Sequence, residues 1–174
     1  PSVFTYEFAK ALSYEAERKE KVTKIHIKID TGMSRIGFLA GENNEEIVDE
    51  IIKISKLPYI EIEGIFSHFA TSDEYDKSYT LLQYGRFMDV CNRLEEKGLN
   101  IPIKHICNSA GIMMYPEMHL DMVRPGVILY GMYPSDEVDK SRLDLIPAMT
   151  LKSTITHIKE VEPGRGVSYG KEYI

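Results

Sequence analysis

The stretch VTKIHIKIDTGMSRIGFLAGENNEEIVDEIIKISKLPYIEIEGIF (22–66) decides how the chain folds. It opens on an alternation: Val22, Ile25, Ile27 and Ile29 are apolar, and Lys24, His26 and Lys28 stand between them. Successive side chains of an extended chain point to opposite faces, so this is a strand with one apolar face. After the loop DTGMSRIGF, Ile47, Ile51 and Ile54 recur at helical spacing, which predicts an amphipathic helix over 44–55. Residues 59–66 read as a second strand. Strand, crossover helix and strand in so short a stretch make a parallel βαβ unit.

Outward from it the same grammar repeats. A helix is expected over 5–19, with Phe8, Leu12 and Ala16 on one face, and a longer one over 75–97 with a stripe of Tyr84, Phe87, Met88, Cys91 and Leu94. Gly98 closes that helix. Residues 103–107 form a third strand, and Asn108 or Ser109 caps a short helix that stops before Pro116. DMVRPGVILY (121–130) reads as a fourth strand interrupted at Pro125-Gly126. Such alternation implies a parallel sheet with right-handed crossovers, either doubly wound or a barrel. Four βα units make half of an eight-stranded barrel. Past Gly131 the character changes to a polar connector holding Pro134 and Pro147, and then to MTLKSTITHIKEV (149–161), which alternates without helix signals. The expected organisation is a barrel half over 1–133, a linker over 134–147, and the start of an antiparallel β domain over 148–174.

Composition narrows the function. The chain has 174 residues, 43% of them hydrophobic, with 21 Lys+Arg against 27 Asp+Glu and a net charge of −6. An acidic balance argues against non-specific nucleic-acid binding, which needs a dense basic footprint. No apolar run approaches the ~18 residues a membrane span needs, and the N-terminus lacks the pattern of a signal peptide. Two cysteines, Cys91 and Cys107, make no disulfide framework, so a reducing cytoplasm is the expected setting. His26, His119 and His157 show no metal-ligand spacing and read as structural or surface residues, so no metal site is expected.

Each predicted strand ends in residues poor for a core and good for chemistry. The first ends in Lys28 and Asp30, with Arg35 soon after; the second in Ser67-His68; the third in Asn108-Ser109; the fourth carries Arg124 before Pro125-Gly126. Barrel and open α/β folds place their sites at those strand ends. Two guanidiniums, an imidazole, a lysine and a hydroxyl there suit a phosphate or carboxylate. Taken singly, several have plainer readings: Lys28 fits a solvent-facing position, Arg35 a surface loop, His68 a structural histidine and Ser109 a helix cap. Arg124 is harder to dismiss, because a guanidinium inside an apolar strand needs a partner. Cys107 has no basic neighbour in sequence and reads as an inert buried thiol.

Five motifs in one order carry a resemblance: KIDTGMSRIGF (28–38), GIFSHFATSDE (64–74), HICNSAG (105–111), MVRPGVILYG (122–131) and GVSYGKEY (166–173). Together the chain resembles bacterial alanine racemases, fold-type III enzymes dependent on pyridoxal phosphate. The resemblance implies the last four strands of a pyridoxal-phosphate-binding (β/α)8 barrel, followed by the start of a β-rich domain. It implies that Tyr169 is one of two catalytic acid/bases and acts in the partner subunit's site, so that the enzyme is a homodimer. It assigns His68 as the histidine tuning that tyrosine and Arg35 as the contact to substrate carboxylate and cofactor phenolic oxygen. Lys28 matches the lysine that is often carbamylated. Arg124 matches the partner of the cofactor's pyridine nitrogen, and Ser109 with the backbone of Gly126 and Val127 the phosphate cradle. His105 and Asn108 match supporting positions behind them.

The family's Schiff-base lysine lies in a motif like Lys-Ala-x-x-Tyr-Gly, which this sequence lacks. The parent protein is therefore expected to interconvert L- and D-alanine for peptidoglycan, and this chain alone to be inactive. Serine or broad-specificity racemases share these motifs. A non-catalytic barrel of the same type is the reading from another class, and the β stretch ending in VSYG opposes it. An isolated half-barrel with open sheet edges is expected to self-associate.

Overall fold

A computed structural model describes residues 1–171. The chain opens on a short strand, β1 (Ser2–Val3), and enters helix α1 (Tyr6–Arg18). Thr5 caps that helix, its hydroxyl accepting from the Phe8 N–H at 3.2 Å. The buried face of α1 is Ala9, Ser13 and Ala16; of the expected face Ala16 is buried, Leu12 packs against the core and Phe8 is exposed. Small residues let the helix lie close to the sheet, and Ser13 donates to the Pro58 carbonyl at 2.6 Å.

β2 (Thr23–Asp30), β4 (Ile60–Phe66) and β5 (Ile103–His105) are the three strands foreseen. A two-residue strand, β3 (Phe38–Leu39), pairs with the end of β2. Helices α2 (Glu45–Ile54), α3 (Ser78–Glu96) and α4 (Ser109–Met114) follow β3, β4 and β5. All pairings are parallel, and the main sheet runs β1-β2-β4-β5, in chain order. Each unit adds its strand to the same growing edge. A doubly wound sheet reverses direction at a switch point, so this order is that of a barrel-like α/β sheet.

The core lies between the sheet's apolar face and the helices. Ile25, Ile27, Ile29 and Ile65 are fully buried against Val48, Ile51 and Ile54 of α2 and Phe87, Val90 and Leu94 of α3. Burying each such side chain stabilises the fold by about 1.5–3 kcal/mol. The opposite face carries Lys24, His26, Lys28, Glu61, Glu63 and His105, which is why β2 alternates rather than being apolar throughout.

Two expectations need correction. Residues 121–130 form no strand: the chain is irregular through Arg124 and then winds as a 3-10 turn at Val127–Tyr130. Pro125 has no N–H for a ladder, and the Arg124 N–H reaches a single carbonyl, that of Cys107, at 3.0 Å. The fourth parallel strand is instead β1, too short for periodicity to reveal. Residues 149–161 form no strand either, and Leu151, Ile155 and Ile158 are at least 77% exposed. The stretch finds no ladder partner among the described residues; the final 172–174 of the expected β region lie outside them. The 134–147 connector is more than a tether: Val138 is buried against Ala110 and Met113, and Ser135 donates to the Asp73 carbonyl at 2.9 Å.

Candidate active site

The C-terminal ends of β2, β4 and β5 meet around Arg124. Its Nη2 donates to the carbonyls of Ser67 at 2.6 Å and Ile106 at 3.2 Å, and to His68 Nδ1 at 3.3 Å. Its Nη1 donates to His105 Nδ1. The guanidinium also lies 5.3 Å from the Phe66 ring centroid. No carboxylate forms an ion pair with it among the described residues. The demanded partner is thus a set of neutral acceptors, which hold the cation while leaving its charge uncompensated. Burial brings Arg124 down to about 10, helped by Arg35 and opposed by Cys107, so it remains cationic at neutral pH.

Neutral acceptors require neutral imidazoles. Burial first, then Arg124, drives His68 down to about 4 and His105 down to about 3. An arginine only donates, so both rings present a bare Nδ1 to it. Lys28, buried on the same face, donates to the Ile29 carbonyl at 2.7 Å and lies 5.4 Å from the Phe66 ring centroid. Burial lowers its ammonium to about 8; Asp30 opposes the shift, and Arg124 and Arg35 add to it. Near neutrality a fraction of Lys28 is therefore free amine.

The Asp30 carboxylate is raised by burial, but N–H bonds from Gly32, Ser34 and Met33 at 2.9–3.0 Å, together with Lys28, carry it below its ordinary range. These bonds shape the loop presenting Arg35, which is exposed and forms no ion pair among the described residues. The charge of Arg35 nevertheless acts on Lys28, His68 and Arg124.

On the other side of Arg124 lies a cavity of about 320 Å³ lined by His68, Asn108, Ser109, Gly126 and Val127, among others. Asn108 is the α4 cap, its Oδ1 accepting from the Gly111 N–H at 2.9 Å, so Ser109 is not spent on capping. The Ser109 hydroxyl instead accepts from the Gly126 N–H at 2.8 Å. A Cβ on Gly126 would meet that hydroxyl at 3.4 Å, an ordinary contact. The Ser109 hydroxyl and the Arg124 guanidinium, both lining this cavity, are a donor set suited to an anion such as a phosphate.

Tyr169 is not brought to this cluster: it is 98% exposed, in a turn at Tyr169–Lys171. Lys28, His68, His105, Asn108, Ser109, Arg124, Gly126 and Val127 do converge. The sequence reading missed Gln83, which is fully buried and spans two site loops. Its Nε2 donates to Thr31 Oγ1 at 3.2 Å and the His68 carbonyl at 3.1 Å, and its Oε1 accepts from the Ala70 N–H at 2.8 Å. Its signal was present: a polar residue one turn before Phe87, on the buried face of α3. No group of three metal-binding side chains occurs among the described residues, and no helix there is long and apolar enough to cross a membrane.

A sheet wound in chain order, with cationic and neutral imidazole groups at its C-terminal ends, defines a barrel-type α/β enzyme domain. Residues 1–134 match the family model for the alanine racemase N-terminal domain, and the chain belongs to that family. It is 57% identical over 172 residues to an alanine racemase of Clostridium tetani, covering 99% of this chain and 44% of that protein. It superposes on the cycloserine complex of the Clostridium difficile alanine racemase with a TM-score of 0.86 at 49% identity, covering 91% of this chain and 43% of that one. A histidine racemase of Leuconostoc mesenteroides is also similar, with a TM-score of 0.78 at 29% identity, covering 99% of this chain and 45% of that one. The chain thus spans less than half the length of the relatives it matches.

Proposed function

We propose that the protein to which this chain belongs is a pyridoxal-phosphate-dependent racemase interconverting L- and D-alanine for peptidoglycan synthesis in the cytoplasm. The chain's part in it is the second half of the barrel. The observation that carries this reading is Arg124: a cationic guanidinium held by two carbonyls and two bare imidazole nitrogens, facing a cavity with a hydroxyl and a backbone N–H at its far side. Ser109, with Gly126 and Val127, would hold the cofactor phosphate, and Arg124 would donate to the pyridine nitrogen. Bound there, pyridoxal phosphate supplies an electron sink that acidifies the α-proton of the amino acid.

The remaining work falls to side chains. Arg124 stays protonated and keeps the proton off the ring nitrogen, which moderates the sink. Arg35 binds the substrate carboxylate. Lys28, buried beside cations and partly free amine, suits capture of CO2 as a carbamate, an anion that would pair with Arg35. Racemisation needs a base on each face of the α-carbon: Tyr169 of the partner in a homodimer takes one, and a lysine outside this chain takes the other. His68 assists the tyrosine, whose phenol otherwise titrates near pH 10. This chain by itself is expected to be inactive.

The test is made on the complete protein, assayed for L-to-D conversion with alanine, serine and histidine. The expected result is turnover of alanine above the others, lowered about 100-fold or more in Arg124→Gln, the scale of losing one preorganised charged contact. Turnover of another amino acid in preference to alanine would move the substrate assignment. An Arg124→Gln protein with full activity would sink the reading. Intact mass at neutral pH with bicarbonate, compared with Lys28→Ala, reports the carbamate as an added CO2.

A further inference from the structure

His105 is used by Arg124 on one side only. Its other nitrogen, Nε2, lies 2.9 Å from His26 Nδ1, and His26 Nε2 lies 3.5 Å from a Glu63 carboxylate oxygen. Glu63 also accepts from Lys24 at 2.8 Å. The direction of this chain follows from its first member. Arginine has no acceptor, so His105 Nδ1 must be bare and Nε2 must carry the proton. Nε2–H then donates to His26 Nδ1, which must be bare in turn, and His26 Nε2–H points to the Glu63 carboxylate. Protonating His26 at Nδ1 would oblige His105 to accept at both nitrogens, which a neutral imidazole cannot do.

The sheet is built to allow this contact. His26 pairs with Gly64, and Gly64 with Ile103, while Lys28, Phe66 and His105 form the next row. His26 and His105 are thus two strands and one row apart, and the position between them is a glycine. A Cβ on Gly64 would overlap the His26 imidazole. The register of β2 against β4 shifts here, so that Ile25 faces Ile62, His26 faces Gly64, and Glu63 is the extra residue. That bulge turns Glu63 onto the face of Lys24 and His26. Phe66 stacks on His105 with centroids 4.9 Å apart and planes 4° from parallel, fixing the ring's plane.

We infer that His26, admitted by Gly64 and oriented by Glu63, is a positioning residue: by accepting the His105 Nε2–H it holds that ring in the tautomer and orientation Arg124 requires, and so sets the direction in which Arg124 donates. The groups facing His26 are Glu63 and Lys24 at one end, and His105 with Arg124 behind it at the other; Glu61 pairs with Lys24 at 3.5 Å. The inference deepens the cofactor reading of Arg124, but its measurement needs no cofactor, so the two can fail separately.

The test is histidine-selective ¹⁵N NMR on the complete protein, with and without pyridoxal phosphate. In the native protein His105 is expected to show protonated Nε2 and bare Nδ1, unchanged from about pH 8 to about pH 5, through the range where a free histidine titrates. His26→Phe keeps the ring volume and removes the acceptor; the His105 Nε2–H signal should then be lost to solvent exchange. His26→Gln, whose carbonyl oxygen can accept, should restore the native signal. A His26→Phe protein with the native His105 signal overturns the inference. So does native His105 with its proton on Nδ1, a result that needs no variant to fold.

Discussion

Residues 23–30, TKIHIKID, and residues 151–160, LKSTITHIKE, both interleave apolar and polar residues, although Ile158 falls out of step with Leu151 and Ile155, and they meet opposite fates. In the first, Ile25, Ile27 and Ile29 are wholly buried, because β1 and β4 flank the strand and helices cover its apolar face. In the second, Leu151, Ile155 and Ile158 lie open, with no ladder among the described residues. Alternation assigns side chains to two faces. It does not supply the neighbour on which one face is buried, and without that neighbour the pattern gains nothing.

The sharpest way to break this contrast is a matched pair of truncations. Ile27→Ala should destabilise the chain by about 2–5 kcal/mol in urea unfolding, the range for emptying a packed core site. A loss under about 1 kcal/mol would mean that the sheet–helix layer is not the stabilising unit.

Acid should come next. His68 and His105 sit near 4 and 3 when folded, below the ordinary histidine value of 6.5. Between those values the unfolded chain binds more protons, so stability is full above about pH 6.5 and falls as pH drops toward 4 and 3. A pH series of unfolding midpoints should show that decline, and Arg124→Met should make it shallower by removing the cation, while burial, the larger cause, keeps it from vanishing. A flat profile in the native chain would mean that the imidazoles are not held against it. The smallest effect should be Ile155→Ala, within about 0.5 kcal/mol of the native chain, as for an exposed residue. A larger loss would show that the 149–161 stretch packs on something.

The site divides along the same line. Arg124 was legible as a residue that needed partners, because its charge stands among apolar neighbours. The identity of those partners was not legible, since Ser67, His68, His105 and Ile106 come from other strands. His26 read as structural because its spacing to other histidines along the chain suggests nothing. Its contact to His105 exists only across the sheet, over a glycine. Tyr169 was legible as a motif, yet this chain leaves it exposed and apart from His68.

The sequence alone determined three of the strands (β2, β4 and β5), the helices between them, most of the apolar faces that meet and the ring of polar strand ends. Those are local properties, set by periodicity, caps and turns within a few residues. Tertiary structure alone decided that β1 and not 121–130 is the fourth strand, that Gln83 binds two loops together, and that Arg124 is answered by neutral imidazoles instead of a carboxylate. Each of those depends on groups distant in sequence, and only the register of parallel strands brings them within a hydrogen bond.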